Sequence, residues 1–87
     1  MDLEKYIQDK DGLEMLSEIK ACMDTQSPFE LGRGDFSFLV EPQGPVLDVW
    51  RNEKSIALYK NLEDFCLNFK IDGVPFIEII GEFEFIF

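Results

Sequence analysis

The apolar residues of this chain change their spacing more than once, and that change limits the folds open to it. Between residues 2 and 24 they recur at helical intervals. Leu13, Leu16, Ile19 and Met23 stand three, three and four apart, so they share one helix face. From residue 35 the pattern becomes alternation. Phe36, Phe38 and Val40 fall on one face of 35–41, Leu47 and Val49 on one face of 46–51, and Ile56 and Leu58 on one face of 55–59. Alternation of this kind marks a sheet with one wet side. The links Pro42-Gln43-Gly44-Pro45 and Asn52-Glu53-Lys54 are short enough for hairpins, so the three strands read as an antiparallel meander. Helical spacing then returns once. Leu62, Phe65, Cys66 and Phe69 stand at i, i+3, i+4 and i+7, behind an Asn61 suited to capping and with Asp64 in the first turn.

The flanks complete the pattern. Leu3, Tyr6 and Ile7 form a small apolar patch, and Asp11 with Glu14 has the form of a capping box. This predicts a short helix near 2–9 and a longer one near 12–24. A single helix through Gly12 is the alternative, at about 1 kcal/mol relative to Ala. Residues 25–34, punctuated by Pro28, Gly32 and Gly34, read as a connection. Asp72-Gly73-Val74-Pro75 reads as a turn. Residues 76–87 are strand-like throughout, with Gly81 as a bulge in one long strand or Gly81-Glu82 as a hairpin turn between two. The expected fold is α+β in one domain, 1–87. It has an antiparallel sheet of four to five strands, with the N-terminal helices and one later helix on one face.

A chain of 87 residues buries only about 60–65% of its unfolded surface, so its core must be rich in large side chains. Nine Phe, two Tyr and one Trp supply them. Eighteen acidic residues oppose eight basic ones, for a net charge of −10. Such a chain is a poor partner for nucleic acid or an anionic membrane, and a basic protein, or a second copy, is the partner expected. Cys22 and Cys66 each lie among apolar residues and read as small core residues rather than a disulfide framework. A reducing, cytoplasmic setting follows as an expectation. The start is too acidic for a secretory signal, and 74–87 is too short and too charged to span a bilayer.

Catalytic chemistry is hard to build from these residues. With no histidine, the commonest general base and the usual zinc ligand are missing. Gly32 and Gly34 lack the Lys-Ser/Thr of a phosphate loop. Asp9-Lys10-Asp11-Gly12 resembles the middle of an EF-hand loop, but Ile7 and Glu14 then occupy positions that require an acid and an apolar residue. Arg33-Gly34-Asp35 reads as a turn entering a strand. Asp48 and Glu78 are carboxylates on predicted strands, suited to the wet face of a sheet. The expectation is no enzyme activity and no catalytic, cofactor-binding or metal-ligating residue.

Two places suit an interface. Trp50 and Tyr59 fall opposite the aliphatic residues of their strands, and with Arg51 they suggest an aromatic–cationic patch on the outer sheet face. Glu82, Phe83, Glu84, Phe85 and Phe87 suggest a phenylalanine-faced strand that completes the core or pairs with a partner at a sheet edge.

The strands followed by Asn61-Leu62-Glu63-Asp64-Phe65-Cys66-Leu67-Asn68-Phe69 make the second half similar to the C-terminal half of SUKH-type bacterial immunity domains. The likeness carries no specific motif and stops at the N-terminal half. It implies that an inhibitory role belongs among the expectations. The sequence thus points to a small acidic interaction module, homodimeric through its terminal strand. The alternative is an acidic inhibitor (immunity protein, antitoxin or nucleic-acid mimic) directed at a basic protein.

Overall fold

A computed structural model describes residues 2–86 of the chain. The main helix, α1 (Lys10–Asp24), starts two residues earlier than its sequence signal suggested. Asp9, in extended conformation, is the N-cap, and its carboxylate accepts the Gly12 N–H at 3.3 Å. Gly12 therefore lies inside the first turn. The reason is steric: a Cβ there would lie 2.6 Å from Ile7 Cγ2 and 3.2 Å from Ile80 Cγ2. The early patch forms a single 3-10 turn, Leu3–Tyr6, with Asp2 accepting from the Glu4 N–H.

Residues 25–34 are not merely a connection. Phe29–Arg33 is a strand, β1, turned back on β2 (Phe36–Gln43) through Gly34, whose φ of +61° suits the first position of a tight hairpin turn. The expected meander follows as β2, β3 (Val46–Arg51) and β4 (Lys54–Tyr59), all antiparallel. Asn61 caps α2 (Leu62–Asn68), accepting the Asp64 N–H at 2.7 Å. Lys70–Ile71 (β5) and Val74–Pro75 (β6) form a two-stranded ribbon closed by Asp72 and Gly73, both at positive φ.

The predicted strand at 76–87 is the largest correction. Phe76–Ile79 is one helical turn, α3, and Ile80–Glu82 continues it as a 3-10 turn. Among the described residues of this segment, Glu84–Phe85, β7, forms the strand that pairs with β1. Gly81 is neither bulge nor hairpin turn. The segment is apolar at almost every position, so alternation and helical spacing fit it equally, and packing decides. Phe76, Ile80 and Phe83, four and three apart, all turn inward and are at most 4% exposed.

The main sheet has the order β4-β3-β2-β1-β7 and is antiparallel throughout. Its inner face carries Phe29, Leu31, Phe38, Val40, Leu47 and Val49, none more than 2% exposed. Phe38 is the hub. The rings of Phe69, Phe83 and Phe76 surround it at 4.9, 5.7 and 6.0 Å, in the edge-to-face arrangement that aromatic rings prefer. Each such side chain contributes roughly 1.5–3 kcal/mol by leaving water. The α+β architecture expected from the sequence is thus the one observed. Among the described residues no helix is long and apolar enough to cross a membrane.

The phase of β4 is also corrected. Leu47 pairs with Tyr59 and Val49 with Ala57, which turns Tyr59 inward and leaves Ile56 and Leu58 51% and 65% exposed. The Asn52-Glu53 turn sets the start of this register, and an irregularity at Val49/Trp50 shifts it by one residue before Ala57. The ring of Tyr59 then packs on Phe65 and Phe69 of the second-helix region at 5.7 and 6.0 Å.

Candidate functional site: an acidic groove at a sheet edge

Helix α1 crosses close to the segment that leads into β7, and two glycines permit the approach. A Cβ on Gly81 would collide with the Asp9 carboxylate and lie 3.0 Å from the Gly12 nitrogen. Beyond this junction the helix and the strand diverge. Between them runs a groove of about 710 Å3, lined by Asp11, Glu14, Met15, Glu18, Ala21 and Cys22 of α1 on one side. Gly81, Phe83, Glu84 and Phe85 line the other.

The helical residues fall at intervals of three, one, three, three and one, so they form one stripe along α1. Met15 and Phe83 are buried, and Cys22 and Phe85 are half-buried against the core. Asp11, Glu14, Glu18 and Glu84 are exposed. The groove therefore combines an apolar floor with a carboxylate rim. Glu14 meets Lys10 at a loose 3.9 Å. Asp11, Glu18 and Glu84 have no ion-pair partner among the described residues. Burial pushes the Cys22 thiol above its ordinary pKa, and the Glu18 carboxylate pushes it the same way. Cys66, on the buried face of α2, is pushed up to about 12 by burial, against an opposing effect of Lys20.

The residues expected at a terminal-strand interface divide here. Phe83, Glu84 and Phe85 line the groove, with Phe85 set edge-on to Phe29 at 6.1 Å. Glu82 is engaged by Arg33 at 3.1 Å, and the same guanidinium lies 5.3 Å from the centre of the Phe83 ring. Phe87 lies outside the described residues. The α1 half of the groove was missed. Its acids were legible as a helix face, but nothing local in the sequence tells that face which distant segment it will meet.

The expected patch of Trp50, Arg51 and Tyr59 does not assemble. Tyr59 turns inward and packs half-buried against the core, where burial raises its hydroxyl pKa, assisted by the Asp64 charge. Trp50 lies half-buried on the outer face, beside Leu39 and Ser37 in a small hollow of about 220 Å3. Its indole N–H has no partner among the described residues. Arg51 sits over the Phe36 ring at 4.2 Å. Asp48, on the same outer face, is 8% exposed and accepts the Ser55 hydroxyl at 2.6 Å, whereas Glu78 is on α3 rather than a strand. Among the described residues no group of three or more Cys, Asp or Glu is placed to hold a metal ion. No family model matches the chain, and comparison with curated proteins and with solved structures finds no match.

Proposed function

We propose that the protein is an interaction module, without a catalytic step, whose groove between α1 and β7 docks a basic segment of another protein. The observation that carries this reading is the rim of Asp11, Glu14, Glu18 and Glu84 over an apolar floor. Long basic side chains suit both parts: their hydrocarbon stems cover Met15, Cys22 and Phe85 while their charges reach the rim. The net charge of −10 acts in the same direction, attracting a basic partner from a distance. An inhibitor that masks a basic protein is the narrower form of this reading, and it needs the fast, salt-sensitive association that such a field provides. A second copy suits the groove less well, because it brings Glu82 and Glu84 of one chain toward the carboxylates of the other. The unpaired thiols of Cys22 and Cys66 suit a reducing compartment.

Titration with a capped Lys-Val-Lys-Val-Lys peptide at low salt tests the reading. The double variant Glu18→Gln/Glu84→Gln should weaken binding about tenfold, the scale of two exposed charge contacts. Glu41→Gln/Glu53→Gln removes the same charge away from the groove and should change affinity less than about twofold. Equal losses in the two variants, or no salt-sensitive binding at all, would overturn the proposal.

A further inference from the structure

Backbone groups along a strand face alternate sides, so one hydrogen bond fixes the direction of its neighbours. Ile86 donates its N–H to the Glu30 carbonyl at 3.0 Å. Phe85, opposite Leu31, therefore turns its own N–H and C=O away from β1, toward the open edge of the sheet. That edge borders the groove, since Phe85 and Glu84 form its wall.

The size of the groove matches an extended chain. From Asp11 to Cys22 the helix rises about 16 Å, the length of about five residues of strand. A strand laid there has every second side chain facing α1, and those side chains meet Met15 and Cys22 first and the carboxylates beyond them. The backbone pair at Phe85, without a partner strand on that side among the described residues, sets register. One donor and one acceptor do not hold a segment by themselves, so the α1-facing side chains must supply the rest.

We infer that the partner segment enters the groove as an added strand on β7, with basic residues at alternate positions facing α1. This rests on the groove being the docking site, and it goes further by fixing the conformation and the spacing that the site accepts. Strand addition of this kind takes affinity from main-chain bonds and specificity from alternate side chains. The opposite edge suits such a segment less well. β4 begins at Lys54 and is followed by Lys60, charges that repel a basic segment.

The test uses the capped Lys-Val-Lys-Val-Lys peptide and two derivatives. One is N-methylated at the central Lys and the other at the first Val. The two amides face opposite sides of an extended chain, so only one of them can bond to Phe85. One derivative should lose about tenfold in affinity and the other little. Exchange of the Phe85 amide hydrogen should slow on binding of the parent peptide. If both derivatives bind as tightly as the parent, or the Phe85 amide exchanges at an unchanged rate, strand addition is wrong while the groove remains a docking site. If none of the three peptides binds at low salt, the groove reading falls with it.

Discussion

The main sheet ends in two unlike edges. On one side β4 presents six residues, with Ile56 and Leu58 exposed and Lys54 and Lys60 at its ends. On the other side β7 presents two residues, and α1 runs beside them with three carboxylates that join Glu84 of β7. Strand length alone favours β4 as a place for another chain to pair. The features that discourage pairing are also there: flanking lysines, and the irregularity at Val49/Trp50 that distorts the strand next to it. The short edge has a wall, an apolar floor and charge of one sign. An edge thus becomes selective through what stands beside it, because backbone groups are alike on every strand.

The largest expected effect strikes the junction that builds the β7 side. Gly81→Ala drives a methyl into the Asp9 carboxylate and the Gly12 backbone, neither of which is the free end of a long side chain. It should cost about 2–3 kcal/mol in urea unfolding, and the Lys-Val-Lys-Val-Lys affinity should fall with it. A neutral result would mean that α1 and β7 are not held in this relation. Asp9→Ala removes the cap from the same junction without adding bulk. Its cost should be about 1 kcal/mol, measured the same way.

The two thiols report the two sides separately. Cys22, half-buried in the groove wall, should alkylate in the native state, and bound peptide should slow it. Its pKa is raised, so the rate should still be climbing above the range where an ordinary thiol levels off. Cys66, buried and pushed up to about 12, should stay unmodified until the protein unfolds. Equal rates for both would contradict a buried Cys66 and a half-buried Cys22.

The smallest effect lies on the β4 side. Asp64 accepts the Lys60 N–H at 3.0 Å and the Asn68 amide at 2.7 Å, and these bonds hold its carboxyl below the usual aspartate value. A lowered folded-state pKa means that the contribution is complete above the unfolded value of 3.8 and is lost as pH falls through the lower, folded value. Asp64→Asn should therefore lower the melting temperature slightly at neutral pH, with the gap closing in acid. Peptide affinity should not change. A change in affinity would move the docking site toward β4.

The parts of the fold that were legible in the sequence share a property: one face is buried and the other wet. That is why Phe36, Phe38 and Val40, then Leu47 and Val49, announced their strands, and why Leu62, Phe65, Cys66 and Phe69 announced α2. Strand β1 was hidden because Pro28, Gly32 and Gly34 crowd its five residues with turn signals. Residues 76–83 were misread because uniform apolarity carries no period. The phase of β4 was misread because its exposed edge tolerates Ile56 and Leu58 in water, so the more aliphatic face was not the buried one. The site was half legible. Phe83, Glu84 and Phe85 stood out as an acidic, aromatic segment, but their meeting with Glu14, Glu18 and Cys22 depends on the Gly12–Gly81 approach between ends of the chain far apart in sequence.

Amide NMR titration with the capped Lys-Val-Lys-Val-Lys peptide tests most directly whether the groove, rather than the acidic surface as a whole or the longer edge, receives the partner. The account predicts that shifts concentrate at Met15, Glu18, Cys22 and Phe83 to Phe85, and that Ile56 and Leu58 stay still. Shifts centred on β4, or spread evenly over every carboxylate-bearing surface, would contradict it.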